Sequence, residues 1–172
     1  VAVGVGELSD DGPLLLVEAG LDKRVTWDRG QLGPSTKTVT YRDKDPYSTD
    51  ESGNPVTMVR TCRAAAARGV VVGAHPSYPD LVGFGRRRME LSDDELSAAV
   101  VYQLGALEAC CRAAGTRLAY VKPHGALYHE VVSNAAAARA FVAAVVQVAP
   151  LAVLGPAGSE LLGAARKAGL RT

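Results

Sequence analysis

Apolar and polar positions follow a regular pattern only in the later part of the chain. Three short, mainly apolar runs lie at residues 70–74, 117–121 and 151–154, and the first of them is rich in β-branched valine. Such runs are typical of strands buried on both faces. Helices are predicted over residues 57–68, 92–114, 134–148 and 159–167, and the second of them carries apolar residues at three- and four-residue spacing. This alternation predicts an α/β fold with parallel strands and right-handed crossovers.

Residues that start and stop helices support these boundaries. Asn54 precedes a proline and can cap the first helix, and Ser92 with Glu95 forms a capping box at the second. Either Ser133 or Asn134 can cap the third helix. Glycines stand just after three of the predicted helices, at Gly69, Gly115 and Gly169.

The first third of the chain lacks such a pattern. Residues 1–5 and 14–17 are compatible with short strands, and the alternating residues 24–27 and 38–41 are compatible with a hairpin, ahead of a charged stretch. We therefore separate an atypical N-terminal segment, residues 1–52, part strand or disordered, from a β/α domain, residues 53–172. The strands of this domain are too few for a β/α barrel, which takes about 250 residues. Residues 170–172 resemble the opening of a further strand, so we expect an incomplete, barrel-like parallel fold, either a fragment or one completed by a partner.

Composition narrows the classes of function. The 172 residues carry a net charge of +1, which gives no reason to expect binding to nucleic acid or to an anionic membrane. Hydrophobic residues make up 48% of the chain, as in an ordinary folded domain, and no apolar run approaches the ~20 residues of a membrane span. The three cysteines show no framework spacing, which favours reduced thiols and the cytoplasm.

Polar residues able to do chemistry follow the first two predicted strands directly. The first loop supplies His75, Tyr78, Asp80 and Arg86, and the second supplies Lys122, His124 and Tyr128. Because the carboxyl ends of parallel strands share one edge, where ligands bind in such sheets, we expect these side chains to face one cleft.

The residue types suggest separate roles in that cleft. The imidazoles of His75 and His124 can take and give protons near neutral pH, which makes them candidate catalytic residues. Lys122 and Arg86 can hold an oxyanion or a phosphoryl group. Asp80 is the nearest carboxylate that could orient a histidine.

Simpler interpretations stay open. A histidine after a strand can merely hydrogen-bond a backbone carbonyl, and the arginines at residues 86–88 are a charge run of the kind usually found on a solvated face. We interpret His129 as an exposed residue where a helix starts, and Tyr102 and Gln103 as ordinary helix packing. The glycines at residues 155–158 could receive an anion at a helix N-terminus or simply form a connection.

Three motifs, in this order and spacing, resemble the LamB/YcsF family. They read G-A-H-P-S-Y-P-D-L-V-G-F-G-R-R from Gly73, V-Y-Q-L-G-A-L from Val101, and V-K-P-H-G-A-L-Y from Val121. The resemblance covers about residues 53–170. It implies a β/α barrel of the glycoside hydrolase/deacetylase type and the role of the A subunit in a prokaryotic 5-oxoprolinase.

The resemblance also implies an activity, a co-substrate and partners. The activity is ATP-dependent hydrolysis of 5-oxo-L-proline to L-glutamate, with ATP and Mg²⁺ as co-substrate and subunits B and C as partners. No tightly bound metal is expected, and a homo-oligomer stays open. Carried onto this sequence, the motifs assign catalysis to His75, His124 and Lys122, and substrate or phosphate binding to Tyr78, Asp80, Arg86 and Tyr128.

The front of the chain departs from the family pattern. Family members begin with an acidic motif of the type D-L-N-x-D-L-G-E and carry C-G-F-H-A-G-D-P before the first helix, where this chain reads D-E-S-G-N-P at residues 50–55. Two alternative functions therefore stay open. One is a non-catalytic substrate-binding or remnant subunit, and the other is a metal-dependent deacetylase or amidohydrolase of the same barrel type.

Overall fold

The computed structural model describes residues 14–17, 55–80 and 82–172, with only the backbone described for residues 14–17 and Thr57. In chain order its elements are β1 (Leu14–Val17), α1 (Pro55–Ala66), β2 (Val71–Ala74), α2 (Asp93–Ala113), β3 (Leu118–Val121), α3 (Gly125–Ser133), α4 (Ala135–Val148), β4 (Ala152–Val153) and α5 (Glu160–Lys167). The expected strand at residues 14–17 is confirmed. The other strands expected in residues 1–52 lie outside the described residues.

The described strands form one parallel sheet in the order β1-β2-β3-β4, which is also their order along the chain. Parallel neighbours in sequence order require helical crossovers, and these are supplied by the helices between the strands. The predicted α/β class with a parallel sheet is therefore confirmed. The four strands do not establish a closed barrel, so the barrel stays a prediction.

The main hydrophobic core lies between the sheet and the helices. Its largest fully buried members include Leu104, Leu107 and Phe141, packed with strand residues such as Val72 and Val121. A smaller cluster holds Tyr120 and Ala152, which pair in register across β3 and β4. On β2, the register partner of Tyr120 is Gly73, where any side chain would overlap the tyrosine ring. The small residues on both sides thus make room for Tyr120 in the sheet.

The helix ends follow the capping signals. The Ser92 hydroxyl accepts from the amide of Glu95 at 3.3 Å, while the amide of Ser92 donates to the Glu95 carboxylate at 2.8 Å, so the predicted capping box at α2 is confirmed. At α5, the Ser159 hydroxyl accepts from the amide of Leu162 at 3.3 Å. These side chains satisfy amides that lack a partner within the helix.

The stretch after β3 holds one more helix than the sequence predicted. Helix α3 begins at Gly125 and includes His129, and the chain then bends at Asn134. The Asn134 side chain accepts from the amides of Ala136 and Ala137 at 2.9 and 3.3 Å, so Asn134 is the cap of α4 and the alternative, Ser133, is wrong. Helix α3 was missed because it has only nine residues and starts at a glycine shortly after a proline.

The end of the sequence forms no regular strand among the described residues, although the amide of Val153 donates to the carbonyl of Arg171 at 2.9 Å. No single helix in the described part of the chain is long and apolar enough to cross a membrane. Together, α3 and α4 have the required length and composition, but they are bent by 114°.

Candidate active site

The two loops after β2 and β3 are joined by backbone hydrogen bonds at the carboxyl edge of the sheet. The amide of Lys122 donates to the carbonyl of Ala74, and the amide of His124 donates to the carbonyl of Pro76, both at 2.9 Å. These bonds continue the pairing of β2 with β3 beyond the last strand residues. The positions that carry His75 and His124 are therefore fixed by the backbone of both loops.

The imidazoles of His75 and His124 lie in contact, with 3.2 Å between Nε2 of His75 and Nδ1 of His124. Their ring centroids are 4.8 Å apart and the rings are inclined at 69°. The other nitrogen of each ring faces a backbone carbonyl: Nδ1 of His75 lies 2.6 Å from the oxygen of Lys122, and Nε2 of His124 lies 3.0 Å from the oxygen of Phe84. The structure thus brings together two side chains 49 residues apart in sequence, as the parallel arrangement predicts.

Both imidazoles are buried, with exposed fractions of 4% for His75 and 8% for His124. Their hydrogen bonds to carbonyls compensate for the loss of water around the polar ring nitrogens. The same bonds tie the first loop to the second, because the Phe84 carbonyl belongs to the first loop and His124 to the second. The pair therefore shapes the edge of the sheet as well as supplying groups that can transfer protons.

Asp80 organises its own loop. Its carboxylate accepts from the amide of Gly83 at 2.9 Å and from the amide of Arg87 at 3.3 Å, and it forms an ion pair with the Arg87 guanidinium, including Nε–H bonds of 3.0 Å. The Arg87 guanidinium is the main reason that the pKa of Asp80 falls to about 2, and the two amides add to the effect. Among the described residues, every hydrogen bond of this carboxylate stays within the loop. Any side chain at Gly83 would overlap it.

The three consecutive arginines are all exposed and have different surroundings. Arg87 binds Asp80, and the guanidinium of Arg88 lies 3.4 Å from the carboxylate of Glu130 on α3. The predicted phosphate-binding residue, Arg86, makes a backbone bond from its amide to the carbonyl of Gly83 at 2.9 Å. Its exposed guanidinium can still meet an anionic ligand.

Lys122 and the two candidate tyrosines occupy different surroundings. The Lys122 ammonium lies 5.7 Å from the centroid of the Tyr128 ring, a cation–π distance, and both residues are half-buried. Tyr78 is buried in the hydrophobic core at 4% exposure. Burial, and after it the negative charge of Glu130, raises the pKa of Tyr78, while Arg88 acts in the opposite direction.

Gln103 on α2 is the main contact that the sequence interpretation missed. Its side-chain oxygen accepts from the amide of Ser77 at 3.0 Å, and its nitrogen donates to the carbonyl of Ser77 at 2.9 Å and to the carbonyl of Ala99 at 2.9 Å. The Gln103 side chain therefore binds both the backbone amide and the backbone carbonyl of Ser77 in the first loop. The available signal was a glutamine beside the apolar stripe of α2, within the motif V-Y-Q-L-G-A-L.

Two glycines allow the loops to approach closely. Gly85 and Gly125 have φ values of 65° and 61°, and the amide of Ala126 donates to the carbonyl of Gly85 at 2.9 Å. A side chain at Gly125 would overlap that carbonyl. A side chain at Gly85 would lie 2.6 Å from Cβ of Ser77 and 3.5 Å from Cδ2 of His124. Larger residues at either position would separate the loops that carry the imidazoles.

The described residues contain no group of three or more histidine, cysteine, aspartate or glutamate side chains that could hold a metal ion. A shallow cleft of about 460 Å³ lies beside the first loop. It is lined by Pro79, Asp80, Val82, Arg87, Arg88 and Met89. The cleft therefore lies on the arginine side of the loop.

Several curated proteins with similar sequences are named as A subunits of 5-oxoprolinase. A 5-oxoprolinase A subunit from Mycolicibacterium gilvum is 57% identical over 122 residues, which make up 70% of this chain and 48% of that protein. The protein of the same name from Methylococcus capsulatus is 54% identical over 120 residues, covering 69% of this chain and 46% of that protein. The chain thus spans about half the length of the curated relatives it matches.

A solved structure and a family model agree with these relatives. The crystal structure of a lactam utilization protein from Thermus thermophilus superposes with a TM-score of 0.67 at 49% identity, covering 70% of this chain and 49% of that chain. The model of the LamB/YcsF family matches residues 51–172. Because this match takes in well over half of the residues, the chain belongs to the LamB/YcsF family.

Proposed function

We propose that this chain contributes to the ATP-dependent hydrolysis of 5-oxo-L-proline to L-glutamate in the cytoplasm, as part of the A subunit of a 5-oxoprolinase. ATP with Mg²⁺ is the co-substrate, and subunits B and C are the partners. In this proposal residues 53–172 form the β/α domain, which is part of a barrel of the glycoside hydrolase/deacetylase type. The observation that carries the proposal is the bonded imidazole pair at the carboxyl edge, in a chain whose relatives are named as A subunits of 5-oxoprolinase.

The chemistry of the substrate explains why ATP is needed. A five-membered lactam is stabilised by amide resonance, so water alone opens it slowly. Phosphorylation of the amide oxygen creates an electrophilic carbon and a leaving group. The protein then has to move protons to and from water and the ring nitrogen, and to place cations near the phosphoryl oxygens.

The candidate residues divide between these two tasks. Proton transfer belongs to His75 and His124, and the positive charge near the phosphoryl group belongs to Lys122 and Arg86. Lys122 is half-buried with its ammonium beside the Tyr128 ring, which supports a positive charge held in one place before the ligand binds. Arg86 is exposed, which supports a contact that its guanidinium makes only when the ligand binds. Substrate or phosphate contacts are assigned to Tyr78, Asp80 and Tyr128. For Asp80 the bond to Arg87 supports an indirect contribution through the shape of the loop.

The test is the release of glutamate from 5-oxoproline with ATP and the partner subunits present. We expect His75→Ala and His124→Ala each to reduce kcat by at least about a hundredfold, because positioned acid–base groups contribute about 10²–10⁴-fold. His129→Ala is the matched control, since His129 is an exposed histidine on α3. Losses of less than about tenfold in both variants, with folding intact, would remove the pair from the chemistry.

One observation supports the alternative of a non-catalytic binding subunit. Both imidazoles are buried and bonded to carbonyls, which is also the pattern of histidines that only stabilise a fold. Calorimetry with 5-oxoproline separates the two functions. Binding that is followed by no turnover, even with ATP and the partner subunits, favours the binding role.

A further inference from the structure

We propose that Gln103 is a positioning residue for His124, and that it acts through the Pro76–Ser77 peptide group. Gln103 lies on α2, outside the two loops that carry the candidate catalytic side chains. Its effect on the position of His124 follows from hydrogen bonds and packing. The consequence for catalysis rests on the proposed function.

The Pro76–Ser77 peptide group is held by hydrogen bonds on both of its edges. On one edge, the amide of Ser77 donates to Oε1 of Gln103 at 3.0 Å. On the other edge, the carbonyl of Pro76 accepts from the amide of His124 at 2.9 Å. The peptide group is trans and planar, so this amide and this carbonyl point in opposite directions and can only rotate together. Gln103 therefore helps to fix the direction of the carbonyl that holds the backbone of His124.

Two further hydrogen bonds secure the Gln103 side chain. Its Nε2 donates to the carbonyl of Ser77 and to the carbonyl of Ala99, both at 2.9 Å. These partners determine which end of the side-chain amide is the oxygen, because the reversed orientation would set a donor against the Ser77 amide and an acceptor against two carbonyls. Gln103 thus binds two consecutive peptide groups of the first loop while it is anchored to its own helix.

Ser77 also supports the carbonyl that faces the ring of His124. A Cβ atom at Gly85 would lie 2.6 Å from Cβ of Ser77, so these two residues are closely packed. Gly85 directly follows Phe84, whose carbonyl oxygen lies 3.0 Å from Nε2 of His124. A displacement of Ser77 therefore affects the acceptor of the His124 amide and, through Gly85, the acceptor beside the His124 ring.

The position of His124 matters because its Nδ1 lies 3.2 Å from Nε2 of His75. Groups that exchange protons have to lie within about 2.6–3.2 Å of each other, so this contact leaves little room for displacement. The hydrogen bonds of Gln103 all go to backbone atoms of Ser77 and Ala99. Its contribution is therefore to the placement of an imidazole and not to proton transfer itself.

Gln103→Met tests this inference, because methionine has a similar length and is also unbranched but cannot hold the peptide group. The first measurement is hydrogen exchange of backbone amides in the whole chain. The reference is the amide of Leu154, which donates to the carbonyl of Val121 within the sheet. Relative to this reference, we expect exchange at the His124 amide to become at least about tenfold faster.

The second measurement is glutamate release from 5-oxoproline with ATP and the partner subunits present. Gln103→Met should lower kcat at least about tenfold, since a misplacement of 1 Å costs up to about 10²-fold. KM should change roughly threefold or less, because a misplaced imidazole affects the transition state more than the binding of substrate. A purely structural role for Gln103 would leave kcat of the folded variant unchanged.

Two control variants separate positioning from other effects. Gln147→Met makes the same substitution at an exposed glutamine on α4 and should leave both measurements unchanged. Leu118→Ala opens a cavity at the amino end of β3, away from the loops, and should destabilise the fold. It should not accelerate exchange at His124 relative to Leu154, and it should not lower kcat.

A second variant keeps the test decisive if Gln103→Met does not fold. In Gln103→Glu the carboxylate still accepts from the amide of Ser77 but can no longer donate to its carbonyl. We expect the same selective acceleration at His124 and the same direction of change in kcat, with Gln147→Glu as the matched control.

Equal acceleration at His124 and Leu154 would overturn the inference. Selective acceleration at His124 with kcat unchanged in an active complex would also overturn it. Failure of the proposed function looks different, because the complex containing the unmodified chain would then release no glutamate. Hydrogen exchange requires neither substrate nor partner subunits, so it would still decide whether Gln103 positions His124.

Discussion

Replacing Gly125 by alanine should be among the most damaging single changes to the edge of the sheet. Gly125 has a φ of 61°, which lies in the left-handed region that favours glycine. A Cβ atom there would overlap the carbonyl oxygen of Gly85 and lie 2.9 Å from its carbon. Since the obstacle is backbone, it cannot move aside as the end of a flexible side chain can.

The magnitude follows from two separate costs. An alanine in the left-handed region costs about 1–2 kcal/mol, and forcing extra volume into a packed site costs about 1–3 kcal/mol. Moving the Gly85 carbonyl away also weakens its 2.9 Å bond from the amide of Ala126. We therefore expect Gly125→Ala to lower the free energy of unfolding by about 2–5 kcal/mol, a large part of the stability of an ordinary domain.

Two other glycines separate these costs. Gly115 has a φ of 72° but open space around it, so Gly115→Ala should cost only the backbone term of about 1–2 kcal/mol. Gly105 lies within α2, and outside the backbone of that helix no atom lies within 4 Å of the added carbon, so Gly105→Ala should stabilise the fold by about 0.5–1 kcal/mol. Urea unfolding followed by circular dichroism measures all three variants. If Gly125→Ala lowers the free energy of unfolding no more than Gly115→Ala does, the two loops do not approach each other as closely as described here.

Two further variants test the contacts around the first loop. Gln103→Leu should lower the free energy of unfolding by about 2–4 kcal/mol, because the backbone amide and the backbone carbonyl of Ser77 both lose their bond to Gln103. Its neighbour Tyr102 is 78% exposed, so Tyr102→Ser is the control. This variant should change the free energy of unfolding, measured in urea, by about 0.5 kcal/mol or less. The pKa of Asp80 falls from its ordinary 3.8 to about 2, so its contribution to stability is complete above about pH 4 and is lost as the pH falls towards 2. Asp80→Asn should flatten the fall of the urea midpoint between about pH 4 and pH 2, and an unchanged slope there would show that the ion pair with Arg87 does not form in solution.

The sequence predicted those features that depend on local pattern and on the geometry of parallel sheets. The capping box at Ser92 and the cap at Asn134 follow from neighbouring residues, and both are present. The meeting of His75 with His124 follows from topology alone, because two adjacent parallel strands end at the same edge. The same reasoning could not establish a closed barrel or the role of either imidazole.

Contacts made by long side chains could not be predicted in the same way. The partner of Asp80 is Arg87, seven residues away in a charge run of the kind usually found on a solvated face, whereas the sequence reasoning selects its neighbour Arg86. Gln103 meets Ser77 from 26 residues away, and nothing in its spacing shows which turn of the loop it reaches. Such contacts depend on the path of a loop containing two glycines and two prolines, which short-range pattern does not determine.

In the described part of the chain, backbone carbonyls face the outer nitrogen of each imidazole. Their outer hydrogen bonds go to the carbonyls of Lys122 and Phe84, and these oxygens are present whatever side chain the residues carry. Phe84 has a φ of 59°, unusual for a residue with a side chain, and Gly85 follows it in the same region. A change that shifts the backbone at Gly85, as alanine at Gly125 should, therefore moves the acceptor of the His124 ring and weakens the bond that joins the second loop to the first.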